Sequence, residues 1–217
     1  MKKEFKKRIL SSVILLPLII FVIIKGSYFF YSLLIVALFI SVYEWVSMTK
    51  NKSYNLIGFI FLLLSFYTFY KLRINPDNNY TALILILTIC VLTDIGGYIF
   101  GKTLKGPKLS KISPNKTYTG AIGGLLLTLC SIPFFMSYNL VNDNEIFVNI
   151  QFFVLVSVIS QIGDIIISYF KRLSNVKDTG KIIPGHGGLL DRIDGMIFAV
   201  PFSYILLSSG LFKNILI

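Results

Sequence analysis

Asp94 and Asp164 lie inside long apolar runs, and Asp178, Asp191 and Asp194 follow in the polar stretch after the second of them. An aspartate at membrane depth costs about 2.5–3.5 kcal/mol on insertion scales unless it is paired or faces a wet cavity. Asp191 and Asp194 are three residues apart, so a helix starting there would put both on one face. Glu44, late in an earlier run, comes down on the same side. Glu44 and Asp178 are as readily explained by pairing with a nearby Lys or Arg. Asp94, Asp164 and Asp191 together point instead to a functional site. Carboxylates with a single histidine in the chain suit a hard divalent cation such as magnesium, which completes its octahedron with phosphate oxygens. With Lys and Arg in the same stretches, the chemistry is phosphoryl or nucleotidyl transfer. Composition and spacing reach that class and stop there.

Two stretches have the makings of binding loops. Ser113-Pro114-Asn115-Lys116-Thr117 is followed by Gly120, Gly123 and Gly124 at the start of an apolar run. A helix N-terminus with a lysine and hydroxyls beside it is a phosphate cradle, although the glycine spacing of a Walker A loop is absent. Pro184-Gly185-His186-Gly187-Gly188 is a permissive turn just before Asp191, through which backbone amides could approach a ligand closely. His186 serves there either as a ligand or acid, or only to hold the loop in shape. The spacing from Gly120 to Gly124 is better read as close helix packing through small residues.

The elements that must position these residues are helices in lipid. The chain is 55% hydrophobic and 14% charged, with a mean hydropathy of +0.77, too apolar to clothe a soluble core. Apolar runs of membrane-crossing length predict an all-α, polytopic transmembrane bundle of about seven spans in one integral membrane domain, residues 1–217. The spans are Ile9–Ile24, Tyr28–Met48, Tyr54–Tyr70, Tyr80–Phe100, Gly120–Tyr138, Ile146–Phe170 and Gly195–Phe212. Basic Met1 to Arg8 before Ile9–Ile24 reads as an uncleaved first span, because no small-residue cleavage site follows. Alternate segments hold five, two, five and five Lys or Arg, against only Lys25, Lys71, Arg73 and Lys213 on the other side. The positive-inside rule then makes the N-terminus cytoplasmic and turns the acidic ends of the runs to that face. The net charge of +11 is assigned to topology and anionic lipids, not to nucleic acid, and it is compatible with a polyphosphate substrate. Cys90 and Cys130 both fall inside spans, which argues against a disulfide framework or a zinc site.

Ser168 to Asp194 reads S-Y-F-K-R-L-S-N-V-K-D-T-G-K-I-I-P-G-H-G-G-L-L-D-R-I-D. This stretch resembles the signature of the phosphatidate cytidylyltransferases, or CDP-diglyceride synthetases, across its length. Asp94-Ile95-Gly96-Gly97-Tyr98 with Gly101-Lys102, and Ser113-Pro114-Asn115-Lys116-Thr117 with Gly120, resemble two further blocks of that family. The likeness runs over residues 79–217. Ile95 departs from it, since members often carry a small polar residue there. The resemblance implies a polytopic helical enzyme that converts CTP and phosphatidate to CDP-diacylglycerol and pyrophosphate with magnesium. The compact size and the lack of an organellar presequence make a bacterial plasma membrane the expected location. The resemblance places metal at Asp164 and Asp191, with Asp94 and Asp194 as further candidates. Lys116, Lys171, Arg172 and Arg192 would neutralise phosphates, and Ser113, Asn115, Thr117, Lys177, Asp178, His186, Gly187 and Gly188 would line the substrates. A second, monovalent cation and a homodimer are left open. The competing readings are a CTP-dependent lipid kinase, which would release CDP, and an ion-coupled transporter. The acids gather at one face and not at the midplane, and no inverted repeat is evident, which weighs against transport.

Overall fold

Apolar runs in lipid must satisfy their own backbone hydrogen bonds, and a helix does so within a single segment. The computed structural model describes residues 17–74, 80–110, 112–114, 116–182, 187–212 and 215. Helix α1 is described over 17–25. It is followed by α2 (Ser27–Met48), α3 (Asn55–Ile74), α4 (Thr81–Leu104), α5 (Tyr118–Cys130) and α6 (Ile132–Ser137). A 3-10 turn (Asp143–Glu145) then leads into α7 (Ile146–Leu173), α8 (Leu190–Ile193) and α9 (Met196–Ser208). Among the described residues, five stretches are long and apolar enough to cross a membrane: α2, α3, α4, α5 with α6, and the turn with α7. The shorter apolar α9 stands beside them. The chain is thus an all-helical membrane protein. Of the expected first span, the part before residue 17 lies outside the described residues.

The differences from the expected spans have local causes. The fifth span is broken, because Pro133 near the start of α6 cannot supply an amide to continue α5. Helix α4 runs on through Gly101 and Lys102 and stops at Lys105, which turns left-handed at φ 46°. Asp191 lies in the single turn of α8, and Asp194 and Gly195 keep helical dihedrals (φ −55°, ψ −40° and φ −71°, ψ −39°) up to the start of α9, so the two aspartates do share one face.

Helices α2, α4 and α7 end, and α3, α5 and α9 begin, at one end of the bundle. Bonds across that end tie the segments together, with Tyr54 Oη 3.1 Å from Ser174 Oγ and Arg172 Nε donating to the Ile112 carbonyl. At the opposite end, Arg73 Nε donates to the Ile23 carbonyl of α1 at 2.7 Å. Helix α7 differs from its neighbours in carrying Ser157, Ser160, Asp164, Ser168 and Lys171 at intervals of three and four, which forms a polar seam. The hydroxyls of Thr93 on α4, Thr128 on α5 and Ser157 meet within 2.9–3.1 Å in the interior.

The expected small-residue packing joins α4 to α5. A methyl group at Gly124 would lie 2.5 Å from the Thr93 carbonyl, and one at Gly120 would lie 2.7 Å from that of Gly97. Backbone atoms cannot yield as a side chain can, so the helices must part. Gly124→Ala is expected to destabilise the protein by about 1–3 kcal/mol, read as a lower thermal midpoint in detergent. An unchanged midpoint would show that the two helices do not pack this closely.

Candidate functional site

The acids converge at the end where the polar segments meet, but they fall into two groups. In the first, Asp164 pairs with Lys116, and Ser168 Oγ donates to Asp164 Oδ1 at 3.4 Å. Asp94 lies within electrostatic reach of Asp164, Lys116 and Arg192. Asp194 comes within hydrogen-bond reach of Asp164 and feels the charges of Lys171 and Asp94. Burial, and then the Asp164 carboxylate, push the Asp194 carboxyl well up from its ordinary value, with Lys171 opposing. Three carboxylates at this depth are unfavourable unless cations offset them, which the lysines from two segments do in part.

In the second group, Lys171 Nζ donates to Asp191 Oδ1 at 2.8 Å. The amides of Thr179 and Gly188 donate to Asp191 Oδ2 at 2.8 and 3.1 Å. Both side chains of the ion pair are buried. Burial alone would raise the Asp191 carboxyl, yet the Lys171 bond and charge and the two amides outweigh it and hold the group below its ordinary value.

Glu44 was legible in the sequence only as an acid on the right side. It turns out to organise the loop, and its partners are two backbone amides and a threonine hydroxyl instead of a Lys or Arg. Its buried carboxylate accepts from Thr179 Oγ1 at 3.0 Å and from the amides of Leu189 and Leu190, each at 2.9 Å. Methyl groups at Gly180 and Gly188 would each lie 2.5 Å from a Glu44 oxygen. The glycines therefore admit a protein carboxylate, and the amides of Gly188, Leu189 and Leu190 meet Asp191 and Glu44. Gly187 adopts φ +87° beside Asp191 and Asp178. Glu44→Ala would strip acceptors from three buried donors at roughly 1–3 kcal/mol each. Its expected mark is faster proteolysis within 179–190 and lost turnover, while Glu44→Gln, which keeps one acceptor oxygen, recovers part of both. Equal loop protection in Glu44→Ala would remove Glu44 as the organiser.

The Ser113–Thr117 loop folds back on itself. Lys116 N donates to the Ser113 carbonyl at 3.1 Å, and Leu109 N donates to the Lys116 carbonyl at 2.8 Å. Thr117 caps α5, its hydroxyl accepting from Gly120 N at 3.1 Å, which is the preferred role of such a residue. The cap aims Lys116 at Asp164. Arg172 is exposed and donates to the Val176 carbonyl at 3.2 Å. Lys177, Asp178 and Arg192 are exposed around the same end. Asn115 and His186 lie outside the described residues.

Carboxylate oxygens with lysine ammonium groups and the Arg192 guanidinium nearby gather here among the described residues, which fits magnesium and phosphate chemistry. Among the described residues no three ligating side chains form a closed set for a metal ion. Magnesium commonly takes one or two carboxylates and completes its shell with phosphate oxygens and water, so an open carboxylate group fits it. Asp194 is within hydrogen-bond reach of Asp164, and Asp94 is within electrostatic reach of both. Asp191 has both oxygens engaged and would have to exchange its Lys171 bond to reach a cation.

These features define a membrane-embedded helical protein with a carboxylate and ammonium site at one end. Residues 54–209 match the cytidylyltransferase family. Proteins named phosphatidate cytidylyltransferase align along most of the chain. That of Rickettsia bellii is 39% identical over 215 residues, covering 94% of this chain and 91% of the relative. That of Rickettsia typhi is 38% identical over 210 residues, covering 92% and 90%. That of Staphylococcus aureus (strain COL) is 34% identical over 180 residues, covering 80% and 68%. The chain belongs to the cytidylyltransferase family.

Proposed function

We propose that this protein transfers the cytidylyl group of CTP to phosphatidate, giving CDP-diacylglycerol and pyrophosphate for phospholipid synthesis. The observation that carries the reading is the pair of ion pairs Lys116–Asp164 and Lys171–Asp191 at one end of a lipid-embedded bundle, with Asp94 and Asp194 within electrostatic reach of them. A phosphate oxygen of phosphatidate forms a bond to the α-phosphorus of CTP, and the bond from that phosphorus to the bridging β-oxygen breaks. Phosphatidate is already an anion and needs no strong base. It needs alignment and relief from repulsion between phosphates. Magnesium, held by Asp164 with Asp94 and by Asp191 or Asp194, would supply the charge that draws the triphosphate oxygens together. Lys116 and Arg172 lie where polyphosphate would enter, and Arg192 is close by. Lys171, set by Asp191, faces the same space. Ser113, Asn115 and Thr117 would shape the nucleotide side, and Lys177, Asp178, His186, Gly187 and Gly188 the opposite wall.

The excess of basic residues at this end supports a cytoplasmic active site in the plasma membrane, with anionic lipids about the loops. A homodimer and a second, monovalent cation are compatible with the reading. The test is a micelle assay with phosphatidate, magnesium and CTP labelled separately in cytidine and in the γ-phosphate. Cytidine label entering lipid with release of pyrophosphate, and none in EDTA, is expected. Label entering lipid only from the γ-phosphate would make the protein a lipid kinase instead.

A further inference from the structure

A wholly apolar cavity of about 210 Å³ opens between helices at the same end as the carboxylates. Its walls include Trp45 of α2, Ile57 and Phe61 of α3, Ile166 and Phe170 of α7 and Phe198 of α9. We infer that this slot receives one acyl chain of the lipid substrate and sets its phosphate beside Lys171 and Arg172. The inference rests on the lipid-phosphate reading of the site.

Three observations converge on that occupant. The slot and the reactive groups are two faces of the same elements. Phe170 precedes Lys171, Trp45 follows Glu44, and Ile167, Leu190 and Ile197 form one buried cluster with Trp45 between slot and site. The rim is aromatic. Phe170 lies 5.3 Å from the Trp45 ring and 5.1 Å from that of Tyr54. Trp45 Nε1 donates to the Asn55 carbonyl at 2.9 Å, and Tyr54 Oη meets Ser174. Trp and Tyr with their polar atoms turned to one end mark headgroup depth, the level at which glycerol joins phosphate to its chains.

The larger groove, about 350 Å³ between α2 and α3, is lined by Tyr31 and Tyr70. It runs from the middle of these helices, at Leu38 and Leu63, to their far end. Its nearest residues are about 15 Å from the site end at 1.5 Å per residue, so it could meet only the distal part of a chain whose phosphate lay beside Lys171.

Because lipid is as apolar as the slot, transfer of a chain gains nothing from the hydrophobic effect itself. Selection must come from fit, and a filled slot excludes long chains by steric blockage. Ile57 is 72% exposed at the mouth, so a larger side chain there can be accommodated without repacking the core.

The experiment uses the full chain in micelles with a phosphatidate carrying a mid-chain diazirine. Peptide mapping is expected to recover label from residues 54–62 and 163–173. In parallel, Ile57→Trp and Ile166→Trp are assayed with long-chain and short-chain phosphatidate. The ratio of kcat/KM for long over short chains is expected to fall by about tenfold, the scale of discrimination by pocket shape. Label confined to the α2–α3 groove or to the outer faces of α4 and α5, or an unchanged ratio, would overturn the slot. Mapping on the unaltered protein decides the matter even where a variant fails to fold. If the unaltered protein turned over neither lipid, the cytidylyl reading would fall, while the position of the label would still judge the slot.

Discussion

Asp164→Asn should lose turnover by roughly 10³-fold, the scale seen when one electrostatic stabiliser of a transition state is removed, while the protein stays folded. The side chain of Asp164 is 25% exposed and that of its partner Lys116 is 26% exposed, so no deeply buried charge is stranded. Asparagine keeps the shape and an oxygen to accept from Ser168. What it removes is one negative charge from a cluster with Asp94 and Asp194. Repulsion within the cluster falls, so the thermal midpoint should hold or rise as turnover collapses. That opposition is the mark of a functional charge kept at the expense of stability. The check is initial rate with cytidine-labelled CTP beside a melting curve on the same preparation. Near-normal turnover would remove Asp164 from the reaction, and a large drop in midpoint would make its role structural.

How far the sequence could be read follows from what each signal depends on. Apolar length is local, so the central helices were legible to within a few residues. The break in the fifth span depends on Pro133, which an average over an apolar run conceals. Depth and sidedness brought the acids to one end, but they could not say which acid faces which. The spacing of Asp191 and Asp194 implied one face, and both meet the polar seam of α7, but only the packing shows that the first reaches Lys171 and the second Asp164. The glycines of the last loop read as ligand space. Their reason is a carboxylate 144 residues earlier than Gly188, since Glu44 meets this loop through backbone amides. A contact between distant segments through main-chain donors leaves no pattern in side-chain types. The family signature was legible because many typed positions recur at fixed spacing, and it needs no knowledge of those contacts.

Alanine at Asp191 is expected to cost stability as well as turnover. Lys171 and Asp191 are 10% and 6% exposed at their side chains, so alanine leaves an ammonium buried without its partner. Breaking one side of such a pair costs about 3–5 kcal/mol. The amides of Thr179 and Gly188 lose their acceptor at the same time. Adding Lys171→Met removes the stranded charge, so the double variant should regain part of the lost midpoint. Turnover should stay absent, because the lysine and its clamp are both gone. A second signature is the acid limb of stability. The Asp191 carboxyl is held below its ordinary value of 3.8. Its contribution is therefore complete above that value and is lost as pH falls through the depressed one. The single variant should lack this part of the acid transition. A double variant no more stable than Asp191→Ala would mean that the Lys171 charge reaches water, and the buried ion pair would no longer account for the order of the signature loop.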